Sequence, residues 1–280
     1  MSSKICRKFQ YLSAWVMDVL SEAMERKLPC SEETVTEAIL LKLSRYTGNN
    51  FGVKSFTKNE ESINGADWEI WFCNGTHGIS IRLQAKRLYR SGKYEALKRG
   101  NSNQRKNLKE KAKEVGATPL YFFYNHNKFS PSLLWTCFQN KTSYHKSDWG
   151  CAVAPPCAIK SRTHQPSPCE IKAMFPWHYL VCPSKNSNEK SLGLVDLVAK
   201  KLKEICGGRA DQKKETPEWV GQLEQLSDSD SKQDMPHQED SRTRREQLSD
   251  SDAGQDPSSQ LEKYLTEKQL GGLLVIRSQE

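Results

Sequence analysis

Three side chains in the first half of the sequence combine an acid, a carboxamide and an ammonium group. Asp67 precedes one run of alternating apolar and polar residues, and Gln84 and Lys86 lie two residues apart in a second run. Mg²⁺ prefers oxygen ligands, usually one or two carboxylates together with water. A lysine beside such an ion can orient an attacking water or stabilise charge on a pentavalent phosphorus. These residue types indicate metal-assisted cleavage of a phosphodiester bond.

A second carboxylate is expected at this site, because one aspartate and a neutral glutamine carbonyl leave it short of negative charge. Glu69 shares the strand face of Asp67, and Glu37 lies in a predicted helix that we expect to carry it close to the core. The metal, Mg²⁺ or Mn²⁺, would bind Asp67, Gln84 and Glu37, with Glu69 as the alternative second acid. Lys86 would act in catalysis and Glu69 would support the site.

The two runs predict a β-hairpin that turns around Asn74-Gly75, since Asn-Gly between alternating segments is a strong hairpin signal. Strand side chains alternate with period two, so Asp67, Gln84 and Lys86 share one face. A two-residue loop places Asp67 opposite Arg82, and a four-residue loop places it opposite Gln84. A three-residue loop or a bulge would place Asp67 on the opposite face from Gln84 and Lys86, but it would also bury charged side chains.

The remaining periodicity predicts the elements that must position this hairpin. Helical spacing favours helices over residues 9–27, 31–46, 101–115 and 191–205. Strands are expected at 51–56 and 119–124, and more weakly at 133–138 and 175–182. This order predicts an α/β protein with a three-layer core, in which helices flank a central mixed β-sheet.

A strongly basic stretch follows the hairpin. Residues 82–113 contain twelve Lys or Arg against two acids. Such a stretch can hold a polyanionic backbone, although a solvated lysine-rich helix has the same composition. Gln104, in the same predicted helix, would either contact the nucleic-acid backbone or lie on the surface. The residues expected to bind nucleic acid are Arg82, Arg87, Arg90, Arg105, Lys106 and Lys109.

The C-terminal third differs in composition from the rest. Residues 215–256 carry twelve acids and four bases, although the whole chain has a formal net charge of +8. This composition is typical of disorder, and the segment 224–230 recurs at 246–252. The duplicated acidic segment could mimic DNA and cover the basic region, or it could be a plain solvating linker.

Composition and periodicity divide the chain into five parts. They are an N-terminal helix at 1–30, a core at 31–128 with the three chemical residues, an extension packed on it at 129–207, an acidic disordered linker at 208–260 and a short C-terminal segment at 261–280.

The cysteines indicate an intracellular protein. Their number, nine, is odd and they form no CxxC pairs, which argues against a secreted disulfide framework and favours unpaired thiols in the cytoplasm. A zinc site is the alternative, although the spacings between its Cys and His ligands match no zinc finger or ribbon. Its ligands would come from Cys151, Cys157, Cys169, Cys182, His164 and His178. No apolar run reaches the roughly 18 residues of a membrane span, so no membrane association is expected.

The order Asp67, Gln84-Ala85-Lys86, Gln104 resembles the PD-(D/E)XK nuclease superfamily, in the Gln-x-Lys variant of Mrr-like restriction endonucleases. The segments GADWEIWF, LQAKRL, PLYFFYN and PWHYLVC also resemble an uncharacterised bacterial domain family assigned to that fold. The resemblance covers roughly residues 31–182. It implies a restriction-endonuclease-like core, a divalent metal, DNA as substrate, and restriction or anti-phage defence as context. The chain departs from the motif at Ala66, where proline is usual, and at Gln84, where an acid is usual.

Two other functions stay open at this point. The chain could be a catalytically inactive DNA-binding module of the same fold, or an interaction protein recruited through its charged tail. A homodimer and an unidentified accessory protein are also compatible with the sequence.

Overall fold

The computed structural model describes residues 2–44, 51–74, 77–94, 103–127, 145–159, 165–171, 173–184, 188–208, 213–215 and 273–276. The α-helices are α1 (Ser2–Glu25), α2 (Glu32–Ser44), α3 (Lys58–Asn64), α4 (Asn103–Glu114), α5 (Lys146–Trp149) and α6 (Leu194–Cys206). The strands are β1 (Phe51–Ser55), β2 (Trp68–Asn74), β3 (His77–Arg87), β4 (Thr118–Tyr124), β5 (Cys151–Ala154), β6 (Phe175–Pro176), β7 (Lys214–Glu215) and β8 (Leu273–Ile276). Short 3₁₀ helices are η1 (Pro156–Ala158), η2 (Pro168–Glu170), η3 (Trp177–Leu180) and η4 (Asn188–Ser191).

The strands form one mixed sheet in the order β6-β5-β4-β3-β2-β1-β8, and β7 pairs beside this path with the start of β3. β3 and β4 are parallel, and α4 lies between them in the chain as their crossover helix. The other neighbouring pairs are antiparallel. The predicted α/β class with a central mixed sheet is confirmed.

Helices cover both faces of the sheet. On one face α1, α2 and α6 pack against the apolar side of β2, and the shared core includes Phe9, Val35, Trp68, Phe72 and Val198. On the other face Leu108 of α4 packs in a second core with Tyr121, Phe123 and Trp149. The sheet is therefore the middle layer, and the polar residues of the hairpin lie on the face that α4 covers.

The β2–β3 register is that of the four-residue-loop alternative, but the turn itself is shorter, because Asn74 and His77 also pair. Cys73 pairs with Gly78 and Trp68 pairs with Leu83, so Asp67 stands across from Gln84. The pairing continues to Asn74 and His77, and residues 75–76 lie outside the described part of the chain. The period-two alternation of the sequence therefore assigned the faces of the hairpin correctly.

The sequence analysis missed α3, which a capping box marks. The Thr57 side chain accepts the Glu60 amide, the Glu60 side chain accepts the Thr57 amide, and Gly65 ends the helix in the left-handed region. Short polar helices of this kind lack the apolar stripe on which periodicity depends. A Thr-x-x-Glu search before Gly65 would have found it.

One expected strand is wrong, and two other expected segments lie outside the described residues. The strand expected at 175–182 is wrong, because β6 ends at Pro176 and the chain continues as η3, which buries Trp177 and Leu180 three residues apart. The strand expected at 133–138 and the acidic linker lie outside the described residues. In the C-terminal segment, Leu273–Ile276 pairs with β1 at the sheet edge.

The expectation of unpaired cysteines is wrong for at least three residues. Cys6 and Cys182 form a disulfide that joins α1 to the segment after η3, and Cys169 is also disulfide-bonded. These bonds remove the cysteine argument for a reducing compartment. They also weaken the zinc alternative, because Cys169 and Cys182 are not available as thiolates; His164 lies outside the described residues. Within the described ranges, no helix is long and apolar enough to cross a membrane.

Candidate active site

Asp67 binds the strand that faces it through both its backbone and its side chain. Its amide donates to the Leu83 carbonyl at 2.9 Å, and its carboxylate accepts the Ala85 amide. The same carboxylate oxygen accepts Gln84 Nε2 at 2.7 Å. Gln84 and Lys86 are only 1% and 4% exposed. The structure therefore brings the three predicted residues together, with Gln84 and Lys86 buried and Asp67 half-buried.

Gln104 of α4 completes a chain of side-chain hydrogen bonds. Its Nε2 donates to Gln84 Oε1 at 2.8 Å, so Gln104, Gln84 and Asp67 are linked in series. The close approach depends on Gly65, which has φ +70° at the end of α3. A Cβ there would lie 2.5 Å from the Gln104 carbonyl oxygen and 2.6 Å from the Leu108 nitrogen. A glycine between α3 and β2 thus allows α4 to reach the site.

A second carboxylate does lie at the site, but it is Glu61 of α3, which the sequence analysis did not consider. Burial raises the pKa of Asp67 well above its usual range, and the charge of Glu61 and a hydrogen bond with its side chain raise it further. Lys86 and the Ala85 amide act in the opposite direction. Asp67 and Glu61 therefore form a close pair of acids that is short of positive charge.

Lys86 is held by an acid of α2. Its Nζ lies 3.4 Å from Glu32 Oε2, and Glu32 Oε1 accepts the Arg87 amide at 3.0 Å. The cap at Ser31, whose Oγ accepts the Thr34 amide, begins α2 as predicted and brings Glu32 to the end of β3.

The expectation that α2 carries Glu37 close to the core is wrong, because the Glu37 side chain is exposed. Glu32 and Thr36 are one turn apart on the face toward the sheet, where Thr36 hydrogen-bonds the Tyr124 hydroxyl. Glu37 is rotated about 100° from Thr36 around the helix. The sequence analysis therefore chose the right helix and the wrong acid.

Glu69 lies on the same face as Asp67 but has other partners. It accepts Trp71 Nε1 at 2.7 Å and forms an ion pair with Arg82 at 2.9 Å. Arg82 also donates to the Lys111 carbonyl at 3.0 Å. Both residues thus fasten β2, β3 and α4 together, which leaves Glu61 as the better candidate for the second acid.

The other predicted nucleic-acid contacts divide into two groups. Arg105 is half-buried and donates to the Ile159 carbonyl, and Lys106 and Lys109 are exposed on α4. Arg87 and Arg90 lie at the end of β3, where they donate to the carbonyls of Cys30 and Met24. The basic residues therefore occupy the helix above the site and the strand end beside it.

The donor set suits a hard divalent cation bound by few protein ligands. In the described part of the chain, no group of three or more His, Cys, Asp or Glu side chains could hold a metal ion. Two carboxylates and one amide oxygen nevertheless match Mg²⁺, which keeps several water ligands. Burial is the largest cause of the raised pKa of Asp67 and the charge of Glu61 adds to it, so a bound cation would favour the ionised form of this acid.

Comparison with known protein families gives a match over nearly the whole chain. A model of a family of unknown function, DUF6615, matches residues 5–280, from the first helix to the end of the chain. No curated protein matches the sequence.

Proposed function

We propose that this chain, which belongs to the DUF6615 family, is a metal-dependent endonuclease that hydrolyses phosphodiester bonds of DNA. The observation that carries the proposal is the half-buried pair of acids Asp67 and Glu61 beside the buried Gln84 and Lys86. An acid pair, a carboxamide oxygen and an ammonium group are the parts that metal-assisted phosphoryl chemistry requires.

Asp67 and Glu61 would hold the cation through their carboxylate oxygens. Gln84 would add its carbonyl oxygen after a rotation of its amide group, which exchanges the oxygen and the nitrogen. Gln104 can support either orientation, because its own amide both donates and accepts. Such a cation supplies a Lewis acid for the phosphate and lowers the pKa of a bound water.

Lys86 would donate to a phosphate oxygen or to the attacking water. Its ammonium group is nearly buried, so its interaction with a developing negative charge is less screened than at the surface. Glu32 holds the amine near the strand end and leaves the other N–H groups of the ammonium for a substrate. Exposed Lys106 and Lys109 on α4 would contact the backbone of the nucleic acid.

The arrangement of elements supports the same proposal. The site has a helix acid, an aspartate at the start of one strand and Gln-x-Lys in the next strand, in agreement with the resemblance to PD-(D/E)XK nucleases. Its helix acids, however, are Glu61 of α3 and Glu32 of α2 instead of Glu37. A restriction-endonuclease-like core and a role in bacterial defence are part of this proposal. The fold alone does not imply the activity, so the proposal depends on the site.

Nicking of supercoiled plasmid tests the proposal. We expect nicking with Mg²⁺ or Mn²⁺ and none with EDTA. Lys86→Ala and Asp67→Ala should abolish nicking and keep DNA binding, because neither change removes the basic residues of α4. Glu37→Ala is the matched control, since it removes an exposed acid of α2, and it should nick like the wild type. Nicking that persists in Lys86→Ala would overturn the proposed mechanism.

The second candidate is a catalytically inactive DNA-binding module. It is favoured by the neutral Gln84 at a position where the motif usually has an acid, and by its amide nitrogen, which donates to Asp67. A wild type that binds DNA but does not nick it with either metal, and whose binding is unchanged in Asp67→Ala, would support this candidate.

A further inference from the structure

A cavity of about 390 Å³ lies at the end of β3, next to the candidate active site. The C-terminal part of α1 and the following turn form one wall, with Met24, Lys27 and Leu28. The residues after Lys86 form the other wall, with Arg87, Tyr89 and Arg90. We call it the α1–β3 pocket. Its volume falls within the range of about 300–1,000 Å³ found for ligand sites.

The charge of the α1–β3 pocket is of one sign. Lys27, Arg87 and Arg90 line it, together with His126, and no acidic side chain is among the described residues that do so. Lys27 is held in the left-handed region, with φ 57°, at the end of α1. Cations that line a pocket without a carboxylate favour an anionic ligand.

Arg87 carries an unused donor in this wall. Its Nη1 donates to the Cys30 carbonyl, but its Nε is buried and has no hydrogen-bond partner among the described residues. A buried donor without an acceptor is unfavourable, because it has lost its hydrogen bond to water. A ligand oxygen would satisfy this N–H once the guanidinium group turns toward the pocket.

The pocket also offers surfaces for a flat ring. Tyr89 lines it, and the Arg87 guanidinium lies 4.3 Å from the centre of the Tyr89 ring. Leu20, Met24 and Leu88 supply apolar lining. Aromatic rings and guanidinium planes are the surfaces on which unpaired bases stack, and cations bind the phosphates. The combined chemistry is that of a nucleotide.

We propose that the α1–β3 pocket holds one unpaired nucleotide of the DNA strand that crosses the active site. The inference rests on the proposed function, because Lys86 and Arg87 are adjacent and Glu32 contacts both. A strand with its scissile phosphate at Lys86 would place a neighbouring nucleotide at the end of β3. A free mononucleotide has the same chemistry, and the experiment separates the two sources.

Binding of a labelled single-stranded oligonucleotide is measured in EDTA, so that no cleavage occurs, at several salt concentrations. Tyr89→Ala should weaken binding about tenfold or more through lost stacking, with an unchanged salt dependence. Arg90→Ala should weaken binding and reduce the slope of log K against log salt by about one. Tyr11→Ala and Arg26→Ala are matched controls on exposed positions in and just after α1, and both should bind like the wild type.

The outcomes separate the pocket from the proposed function. Wild-type affinity and salt slope in both pocket variants would overturn the pocket proposal, even if plasmid nicking and its loss in Lys86→Ala uphold the nuclease. Calorimetric titration with deoxyadenosine monophosphate gives the second arm. Binding of the mononucleotide, lost in Arg90→Ala, without binding of the oligonucleotide would assign the pocket to a free nucleotide and overturn the strand proposal. Binding of neither probe would overturn it as well.

Discussion

Asp67 and Glu61 share a hydrogen bond in a site where burial already raises the pKa of Asp67. A raised folded-state pKa means that the folded protein binds a proton more tightly than the unfolded chain. The protonated acid therefore stabilises the folded state at low pH. This stabilisation is lost as the pH rises from the ordinary aspartate pKa of about 3.9 to the raised pKa of the folded protein. Asp67 therefore contributes less stability at neutral pH than at acid pH.

Asp67→Asn should therefore stabilise the metal-free protein at neutral pH. The introduced carboxamide keeps an oxygen for the Ala85 amide and gains a donor for Glu61. A gain of about 1 kcal/mol would raise the Tm by roughly 2–4 °C. Thermal melting at pH 7 in EDTA measures this gain, and it should vanish below about pH 4, where the wild-type acid is protonated.

Mg²⁺ provides the matching test of the acid pair. The cation should raise the Tm of the wild type and leave that of Asp67→Asn unchanged, because a ligand stabilises only the form that binds it. Asp18→Asn, an exposed substitution on α1, is the control and should keep the response to Mg²⁺. An equal response in Asp67→Asn would show that the cation binds elsewhere.

Glu32 should matter more for catalysis than Glu37. Glu32→Gln removes the carboxylate that holds Lys86 and accepts the Arg87 amide, so we expect plasmid nicking to slow by about tenfold or more. Glu32→Asp should recover part of the lost nicking rate, because it keeps the carboxylate charge. Initial nicking rates at saturating DNA measure the effect, and Glu37→Gln should have none.

Gly65→Ala should displace α4 from the site. Alanine at φ +70° is strained by about 1–2 kcal/mol, and its Cβ would also collide with the backbone of Gln104 and Leu108. Gly207→Ala is the matched control, because φ is +64° there and nothing lies within 4 Å of the added Cβ. Urea unfolding should show a loss of about 1–2 kcal/mol for Gly207→Ala and a clearly larger loss for Gly65→Ala. Equal losses would mean that α4 shifts to accommodate the added methyl group at no further cost in the free energy of unfolding.

A buried ion pair far from the site should govern acid stability. Glu189 and Lys201 are 3% and 0% exposed and lie 2.9 Å apart, and Lys200 adds a second contact at 2.7 Å. Burial opposes ionisation of Glu189, but hydrogen bonds from Lys200, the Ser184 amide and Lys201 outweigh it and lower the pKa of Glu189. This contribution is complete above the ordinary glutamate pKa of about 4.3 and is lost as pH falls through the lowered value.

Glu189→Gln should cost about 3 kcal/mol at pH 7, because it leaves the buried Lys201 with only Glu204, 3.8 Å away, as a counterion among the described residues. The difference from the wild type should shrink as the pH is lowered. Urea unfolding at pH 7 and at a series of lower pH values measures this difference in the free energy of unfolding. The surface pair Glu22–Arg26 is the control, since Glu22→Gln should change stability by less than about 1 kcal/mol.

The Cys6–Cys182 disulfide should stabilise the attachment of α1. It closes a loop with a sequence separation of 176 residues, for which chain entropy gives an upper value of about 5 kcal/mol. Cys6→Ser should lower the Tm, and Cys157→Ser, which removes an exposed thiol outside any disulfide, should not. Reductant should lower the Tm of the wild type more than that of Cys6→Ser. Equal shifts would mean that the bond does not form in the purified protein.

The sequence by itself determined which residues of the hairpin share a face. Strand side chains alternate with a fixed period of two, so the apolar pattern alone placed Asp67, Gln84 and Lys86 on the polar side. The helix spacing likewise predicted α1, α2, α4 and α6, because each places apolar residues at three- and four-residue intervals on the face that it buries. These are local properties of the chain, and they do not depend on what packs against it.

Only the tertiary structure decided which acids approach the hairpin. Glu61 reaches Asp67 because Gly65 lets α3 and α4 pack closely, and Glu32 reaches Lys86 because α2 begins at the end of β3. Glu37, on the same helix, points to solvent instead. The rotation and position of a helix relative to a strand follow from the packing of whole layers. No pattern within either segment contains that information.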